Sequence, residues 1–126
     1  MNFLRRRIGY YYIFIIYKTY IIIMSFVYLI GENGNEGSYK IGSTRSKDIR
    51  KRLKQLQTGN SNSLFIKSFF ETDYPFKVEK MLHARYKNNH TNGEWFYLDK
   101  DITDNFEDIC KKMEESVILM KDNPYF

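Results

Sequence analysis

The chain has 126 residues, of which 43% are hydrophobic and 28% are charged, and its formal net charge is +5. This length allows one domain with one modest core, and this composition excludes an intrinsically disordered chain. Four of the 20 basic residues and none of the 15 acidic residues lie in the first 23 positions, so the remainder is close to neutral. A nucleic-acid partner must therefore be argued from a local patch rather than from the overall charge.

Residues 1–23 form a segment of distinct composition. Arg5–Arg7 precede the apolar stretch Ile8–Ile23, which is short for a bilayer span and is interrupted by Lys18. Met24 follows directly and stands just before the first well-patterned strand. We interpret residues 1–23 as an N-terminal extension that is either not translated natively, with translation starting at Met24, or a dispensable arm, and we expect no stable membrane association. The alternative is that this segment is a membrane anchor.

The hydrophobic pattern of residues 24–126 predicts short strands and amphipathic helices. The predicted elements are strands over 26–30, 38–42 and 64–70, helices over 47–57, 75–88 and 102–120, and a short strand or docking segment over 94–98. Their order, β-β-α-β-α-(β)-α, predicts an α+β fold with a small, largely antiparallel three-stranded sheet flanked by helices. We divide this part of the chain into a domain over 24–98 and a C-terminal helix over 99–126, packed on the domain or following it.

The helix predicted over 47–57 carries a cluster of basic residues, with Ser46 as a suitable N-cap. The cations of this region are Arg45, Lys47, Arg50, Lys51, Arg52 and Lys54. Helical periodicity puts Arg52 on the flank of the apolar stripe, where its stem can be buried while its guanidinium contacts a phosphate. The cluster is therefore either an anion-binding surface or a solvated helix face.

Four short motifs occur in order between residues 27 and 96. The first motif has two parts, Val27-Tyr28-Leu29 and Tyr39-Lys40-Ile41-Gly42. The other three are Leu56-Gln57-Thr58-Gly59-Asn60, Glu79 with Leu82-His83, and Gly93-Glu94-Trp95-Phe96. Together with the basic stretch Ile49–Leu53, they resemble the GIY-YIG nuclease superfamily, in particular a branch found in phage, large DNA virus and fungal proteins. The resemblance implies an endonuclease that hydrolyses DNA phosphodiester bonds with Mg²⁺ or Mn²⁺.

The resemblance also implies a catalytic site. By analogy with the family, Tyr28 helps to activate the water nucleophile, Arg52 stabilises charge on the phosphate, and Glu79 binds the metal. A single carboxylate is chemically sufficient, because Mg²⁺ prefers oxygen ligands and keeps several waters. Lys40 stands where much of the family has a second tyrosine, and it is open whether Tyr39 or Lys40 supplies that second function.

His83 follows Glu79 by four residues, so both side chains can face the same side of the helix. It is either a proton shuttle or phosphate contact, or a structural residue. The remaining cations, Arg45, Lys47, Arg50, Lys51 and Lys54, are assigned to contacts with the DNA backbone. We expect the aromatic residues Trp95 and Phe96 to close one end of the sheet as part of the core.

The sequence also allows a second function, DNA binding without efficient cleavage. Lys40 replaces a tyrosine, and an asparagine that many relatives carry after the second helix is missing, which favours a DNA-binding module of the same fold with weak or no cleavage. The chain has little room for a separate recognition domain, so we expect low sequence specificity or a targeting partner protein. The lone Cys110 fits a reducing, intracellular setting, in the cytoplasm or nucleus and including a virus-infected cell. The oligomeric state is left open.

Overall fold

The structure, a computed structural model, describes residues 24–45 and 48–125. The predictions about the extension 1–23, the Ser46 N-cap and Lys47 therefore lie outside the described residues. Within the described ranges, none of the helices has the length and apolar content needed to cross a membrane.

The described part of the chain contains five strands, four α-helices and one 3₁₀ helix. In chain order they are β1 (Phe26–Glu32), β2 (Ser38–Thr44), α1 (Ile49–Gln57), β3 (Leu64–Glu71), α2 (Pro75–Arg85), the 3₁₀ helix (Lys87–Asn89), β4 (His90–Asn92), β5 (Trp95–Tyr97), α3 (Lys100–Asp104) and α4 (Phe106–Met120). The predicted α+β class is confirmed.

The strands form one antiparallel sheet in the order β3-β1-β2-β5-β4. The prediction of three strands is wrong, because the segment after α2 forms the hairpin β4–β5 and pairs with β2. Gly93 makes its turn possible with a φ of 56°, a conformation that glycine adopts without strain. The hairpin satisfies backbone groups along the outer edge of β2 that would otherwise need water or another partner.

Side chains of β1 alternate between the two faces of the sheet, and each face has its own core. On the front face, Phe26, Tyr28 and Ile30 pack with the apolar stripe of α1. On the back face, Val27 and Leu29 pack with α2 and α4. The residues that α2 and α4 contribute to the back core are Val78, Leu82, Phe106, Cys110, Met113 and Val117.

Two helices begin at other residues than the sequence predicts, because side chains cap their first turns by accepting backbone hydrogen bonds. Asp48 is the N-cap of α1, and its side chain accepts a hydrogen bond from the backbone N–H of Arg50. The helix predicted over 102–120 is divided at Asn105 into α3 and α4. Asp99 caps α3 by accepting from the N–H of Ile102 at 3.1 Å. The break leaves the apolar spacing of α4 intact, so it was not visible in the periodicity.

Candidate active site

Tyr28 lies in the middle of β1, with its fully buried ring on the front face of the sheet. Its direct partner in the β1–β2 register is Gly42. A Cβ atom built on Gly42 would overlap the phenol hydroxyl and ring. Glycine at this position therefore lets the phenol lie across the backbone of β2 toward the edge of the sheet.

Arg52 extends from α1 to the phenol of Tyr28. Its Nε donates a hydrogen bond to the Tyr28 hydroxyl at 3.3 Å, and its Nη1 donates to Oε1 of Gln55 at 3.4 Å. Burial raises the pKa of Tyr28, although the hydrogen bond and charge of Arg52 lower it. The charges of Glu94 and Glu79 raise the Tyr28 pKa further. The phenol is therefore a neutral hydroxyl at neutral pH, and both carboxylates act on it electrostatically.

Lys40 lies on the same face of the sheet as Tyr28. It pairs in register with Ile30, a member of the front core, whereas its neighbour Tyr39 packs against the back core. Between the two residues that the sequence left open, Lys40 is thus the one on the Tyr28 side. Its Nζ lies 3.0 Å from Oε2 of Glu94 and 5.9 Å from the centre of the Trp95 ring.

Glu79 approaches from α2, which packs on the back face of the sheet. Burial raises the pKa of Glu79, whereas a hydrogen bond from the side chain of Ser43 lowers it. The charge of Glu94 raises this pKa, and His83 and Lys40 lower it. Glu79 thus interacts with groups of both faces, Ser43 behind and Lys40 in front.

The edge of β2 explains how groups from the two faces meet. β5 pairs with β2 only as far as Lys40, followed by a hydrogen bond from the Ile41 N–H to the Glu94 carbonyl at 3.0 Å. Within the described residues, no strand pairs with 42–44 on this outer side. Side chains from α1 and β1 in front and from α2 behind can therefore interact around this open edge.

His83 holds that edge in place. Its Nε2 lies 2.9 Å from the carbonyl oxygen of Ile41, and its ring centre lies 4.9 Å from that of Phe96. A carbonyl oxygen only accepts hydrogen bonds, so Nε2 carries the hydrogen and donates it. This bond gives β2 a hydrogen-bond partner beyond the end of its pairing with β5. Because Nε2 is used in this bond, only Nδ1 of His83 would be available for proton transfer.

Of the other predicted cations, the structure describes Arg45, Arg50, Lys51 and Lys54, and all four are exposed. The Nε of Arg50 is 3.2 Å from Oδ1 of Asp48, and the side chain of Arg50 stays largely exposed. Lys51 and Lys54 are exposed on α1, and the guanidinium of Arg45 lies over the ring of Phe76. Among the predicted catalytic residues, Arg52 donates a hydrogen bond to Tyr28, the charge of Glu79 acts on Tyr28, and the charges of Lys40 and His83 act on Glu79.

Two polar residues of the cluster, Ser43 and Glu94, were not assigned a role from the sequence. Glu94 belongs to the motif Gly93-Glu94-Trp95-Phe96, which contributes to the family resemblance, but only Trp95 and Phe96 of this motif were given a predicted place, in the core. Its position after the turn-forming Gly93 is the signal that could have placed it at a strand end. Ser43 carries no comparable signal, because its role depends on contact with Glu79 in a distant helix.

The cluster is compatible with a divalent cation. Glu79 and Glu94 offer the oxygen donors that Mg²⁺ prefers. Among the described residues, no group of three or more His, Cys, Asp or Glu residues is arranged to hold a metal. An ion bound here would take most of its ligands from water and substrate, which is the usual arrangement for Mg²⁺.

The fold and this cluster define a small α+β domain with a compact, mixed-charge site at the edge of its sheet. The chain belongs to the T5orf172 domain family, whose family model matches residues 25–114. The match runs from the start of β1 into α4 and includes each of the clustered residues. Comparison with curated proteins and with solved structures found no match.

Proposed function

We propose that this protein is a divalent-metal-dependent endonuclease of the GIY-YIG type that hydrolyses DNA phosphodiester bonds. The observation that carries the proposal is the hydrogen bond from Arg52 to the Tyr28 hydroxyl, at a point where Glu79 acts electrostatically on the same phenol. A phenol, a guanidinium and a carboxylate are the groups needed to activate water, to stabilise charge on phosphorus and to hold a metal. Membership of the T5orf172 domain family is compatible with a nuclease-like, DNA-binding role.

Glu79 would hold Mg²⁺ or Mn²⁺. Glu94 is close enough for its charge to raise the pKa of Glu79. The ion would supply Lewis-acid polarisation of the scissile phosphate and lower the pKa of bound water. Ser43 orients the Glu79 carboxylate by donating a hydrogen bond to it. Glu79 is partly buried, which keeps part of the surrounding water away and would strengthen its interaction with a cation.

Arg52 and Tyr28 would act on the phosphate and on the attacking water. Arg52 presents a planar fork of donors that suits the oxygens of a phosphate, and its charge offsets the negative charge of the transition state. The phenol of Tyr28 would first lose its proton to solvent, and the resulting phenolate would take a proton from the attacking water as the water oxygen bonds to phosphorus and the bond from phosphorus to the leaving oxygen breaks. Arg52 favours the ionised phenol because its hydrogen bond and its charge lower the pKa of Tyr28.

Lys40 would contribute a second positive charge at the front of the site. Its ammonium is paired with Glu94 at 3.0 Å and its side chain is only 15% exposed, so it is held in one orientation. A phosphate that enters the site competes with Glu94 for this ammonium. Lys40 thus provides a charge where a second hydroxyl would provide only a hydrogen bond.

The test is nicking of supercoiled plasmid DNA by the purified protein in the presence of Mg²⁺. We expect nicking that EDTA stops and that Glu79→Ala abolishes, with DNA binding retained. Glu115→Ala is the matched control, because Glu115 is exposed on α4 and lies outside the cluster. Equal nicking by wild type and Glu79→Ala would contradict the assignment of the metal ligand.

The second candidate is a DNA-binding module that does not cleave efficiently. The observation that favours it is the engagement of Lys40 by Glu94, because this ion pair occupies the position that the second tyrosine would take in a typical site. Binding of DNA that survives Glu79→Ala, together with no nicking in Mg²⁺ or Mn²⁺, would establish this module instead.

A further inference from the structure

Phe76 is a large apolar side chain exposed on the helix that carries Glu79. Its ring is 59% exposed, although it lies in the first turn of α2 behind the buried Pro75. Residues three apart on a helix are neighbours on one face, so Phe76 lies beside Glu79 on the surface of α2. The core therefore does not account for a phenylalanine here, whereas a ligand that approaches Glu79 would pass its ring.

Arg45 covers part of that ring. Its guanidinium carbon lies 5.2 Å from the ring centre, within the range of a cation–π contact. Arg45 directly follows the last residue of β2, so the pair joins the open end of that strand to the first turn of α2. The contact places a positive charge next to an exposed aromatic surface at the margin of the candidate site.

We propose that Arg45 and Phe76 form a subsite for one unstacked nucleotide next to the scissile phosphate. The ring of Phe76 stacks on the base, and the guanidinium of Arg45 contacts the adjoining phosphate. The proposal rests on the proposed function in taking DNA as the substrate. It commits to a nucleic acid because the aromatic ring is paired with a cation, and a base with its phosphate matches both.

The subsite defines a substrate class. Bases inside a regular duplex are stacked on their neighbours, and taking one out costs free energy. A single strand, a gap or a branch offers an unstacked base without that cost. Stacking on an aromatic ring is tolerant of sequence because every base has a π face. The preferred substrate is therefore DNA with unpaired nucleotides beside the cleavage position, largely independent of sequence.

Binding is measured by fluorescence anisotropy in EDTA, with a labelled single-stranded oligonucleotide and with the same sequence as a duplex. We expect Phe76→Ala to weaken single-strand binding by about tenfold, from the strength of base–aromatic stacking, and duplex binding much less. The matched control is Tyr97→Ala, because Tyr97 is 58% exposed and lies over Gly37, away from Arg45. This control should bind both probes as the wild type does.

A second measurement identifies the stacked base. Single abasic positions are moved along the oligonucleotide, and the wild type should lose affinity at one position relative to the end of the bound segment. Phe76→Ala should be insensitive to that position, because the stacking partner is already missing. Thermal unfolding of Phe76→Ala should remain close to that of the wild type, since the ring is exposed.

Three results would overturn the subsite: no binding of single-stranded DNA by the wild type, equal losses on both probes in Phe76→Ala, or the same abasic profile in both proteins. Because all binding is measured without a divalent ion, a protein that fails to cleave can still give the expected profile. Absence of nicking in Mg²⁺ with an intact abasic profile would thus overturn the nuclease alone, and efficient nicking with no effect of Phe76→Ala would overturn the subsite alone.

Discussion

The phenol of Tyr28 lies across the backbone of Gly42, so closely that a side-chain carbon on residue 42 would overlap the hydroxyl. The two residues are also direct partners in the β1–β2 register. The motif segments Val27-Tyr28-Leu29 and Tyr39-Lys40-Ile41-Gly42 are therefore one structural unit, in which Gly42 of β2 leaves room for the phenol of Tyr28 on β1. This unit fixes the phenol where Arg52 can donate a hydrogen bond to it.

Gly42→Ala tests this unit directly. The new methyl group would displace a fully buried phenol, and overpacking of this kind costs about 1–3 kcal/mol of the free energy of unfolding. We expect a lower urea midpoint and loss of nicking activity. The control is Gly59→Ala, because the nearest atom to a Cβ at that position is the Leu56 carbonyl oxygen at 3.8 Å. Stability and nicking unchanged in Gly42→Ala would contradict the close contact.

Tyr28→Phe separates the hydroxyl from the ring. The ring continues to fill the front core, so the free energy of unfolding should fall by only about 1 kcal/mol, the usual contribution of one hydrogen bond. Cleavage in a single-turnover assay should fall by about 10²-fold or more, the range typical of a lost proton-transfer group. Tyr39→Phe is the control on the opposite face and should cleave as the wild type does. Equal cleavage by Tyr28→Phe and the wild type would remove the phenol from the mechanism.

Glu79→Gln tests the electrostatics of the partly buried carboxylate. Burial raises the pKa of Glu79 above its usual value of 4.5, so the folded protein binds the proton more tightly than the unfolded chain. Between these two pKa values stability falls as the pH rises, and the loss is complete above the raised value. Glu79→Gln should therefore unfold at a higher temperature than the wild type at pH 7, with a difference that shrinks toward pH 4. A difference that grows on acidification would contradict the raised pKa.

The same raised pKa predicts the pH dependence of cleavage. Only the ionised carboxylate binds a divalent cation, so cleavage should decrease as the pH falls through the raised pKa of Glu79. The decrease should set in at a higher pH than for a glutamate with an ordinary pKa, and excess Mg²⁺ should shift it to lower pH. A rate that is independent of pH in this acidic range would argue against Glu79 as the ligand.

The ion pair between Lys40 and Glu94 is open to a double-mutant cycle. Lys40→Met, Glu94→Gln and the double variant should give a coupling of about 1 kcal/mol in the free energy of unfolding, because the Lys40 side chain is only 15% exposed. Added salt should reduce this coupling only slightly. The pair formed by Lys67 and Asp104 is the control: its side chains are 35% and 44% exposed, and we expect a smaller, more salt-sensitive coupling. If the effects of Lys40→Met and Glu94→Gln simply add in the double variant, the ion pair contributes nothing to the free energy of unfolding.

The sequence by itself determined the features that depend on neighbouring residues. Alternation along β1 separates Tyr28 from Val27, and helical spacing places Arg52 beside the apolar stripe of α1, so the class of fold and the faces of single elements could be predicted. These patterns are local because side-chain direction repeats every two residues in a strand and about every 3.6 in a helix.

Only the tertiary structure decided what lies across the edge of β2. The β4–β5 hairpin completes a five-stranded sheet and places Glu94 beside Lys40. Its pairing with β2 stops before Ile41, so the carbonyl oxygen of Ile41 accepts a hydrogen bond from His83 instead. Glu79 belongs to a helix on the opposite face and meets the front of the site only around that edge. Such contacts join residues far apart in the chain, and their energies depend on burial and charge in three dimensions, which no local periodicity encodes.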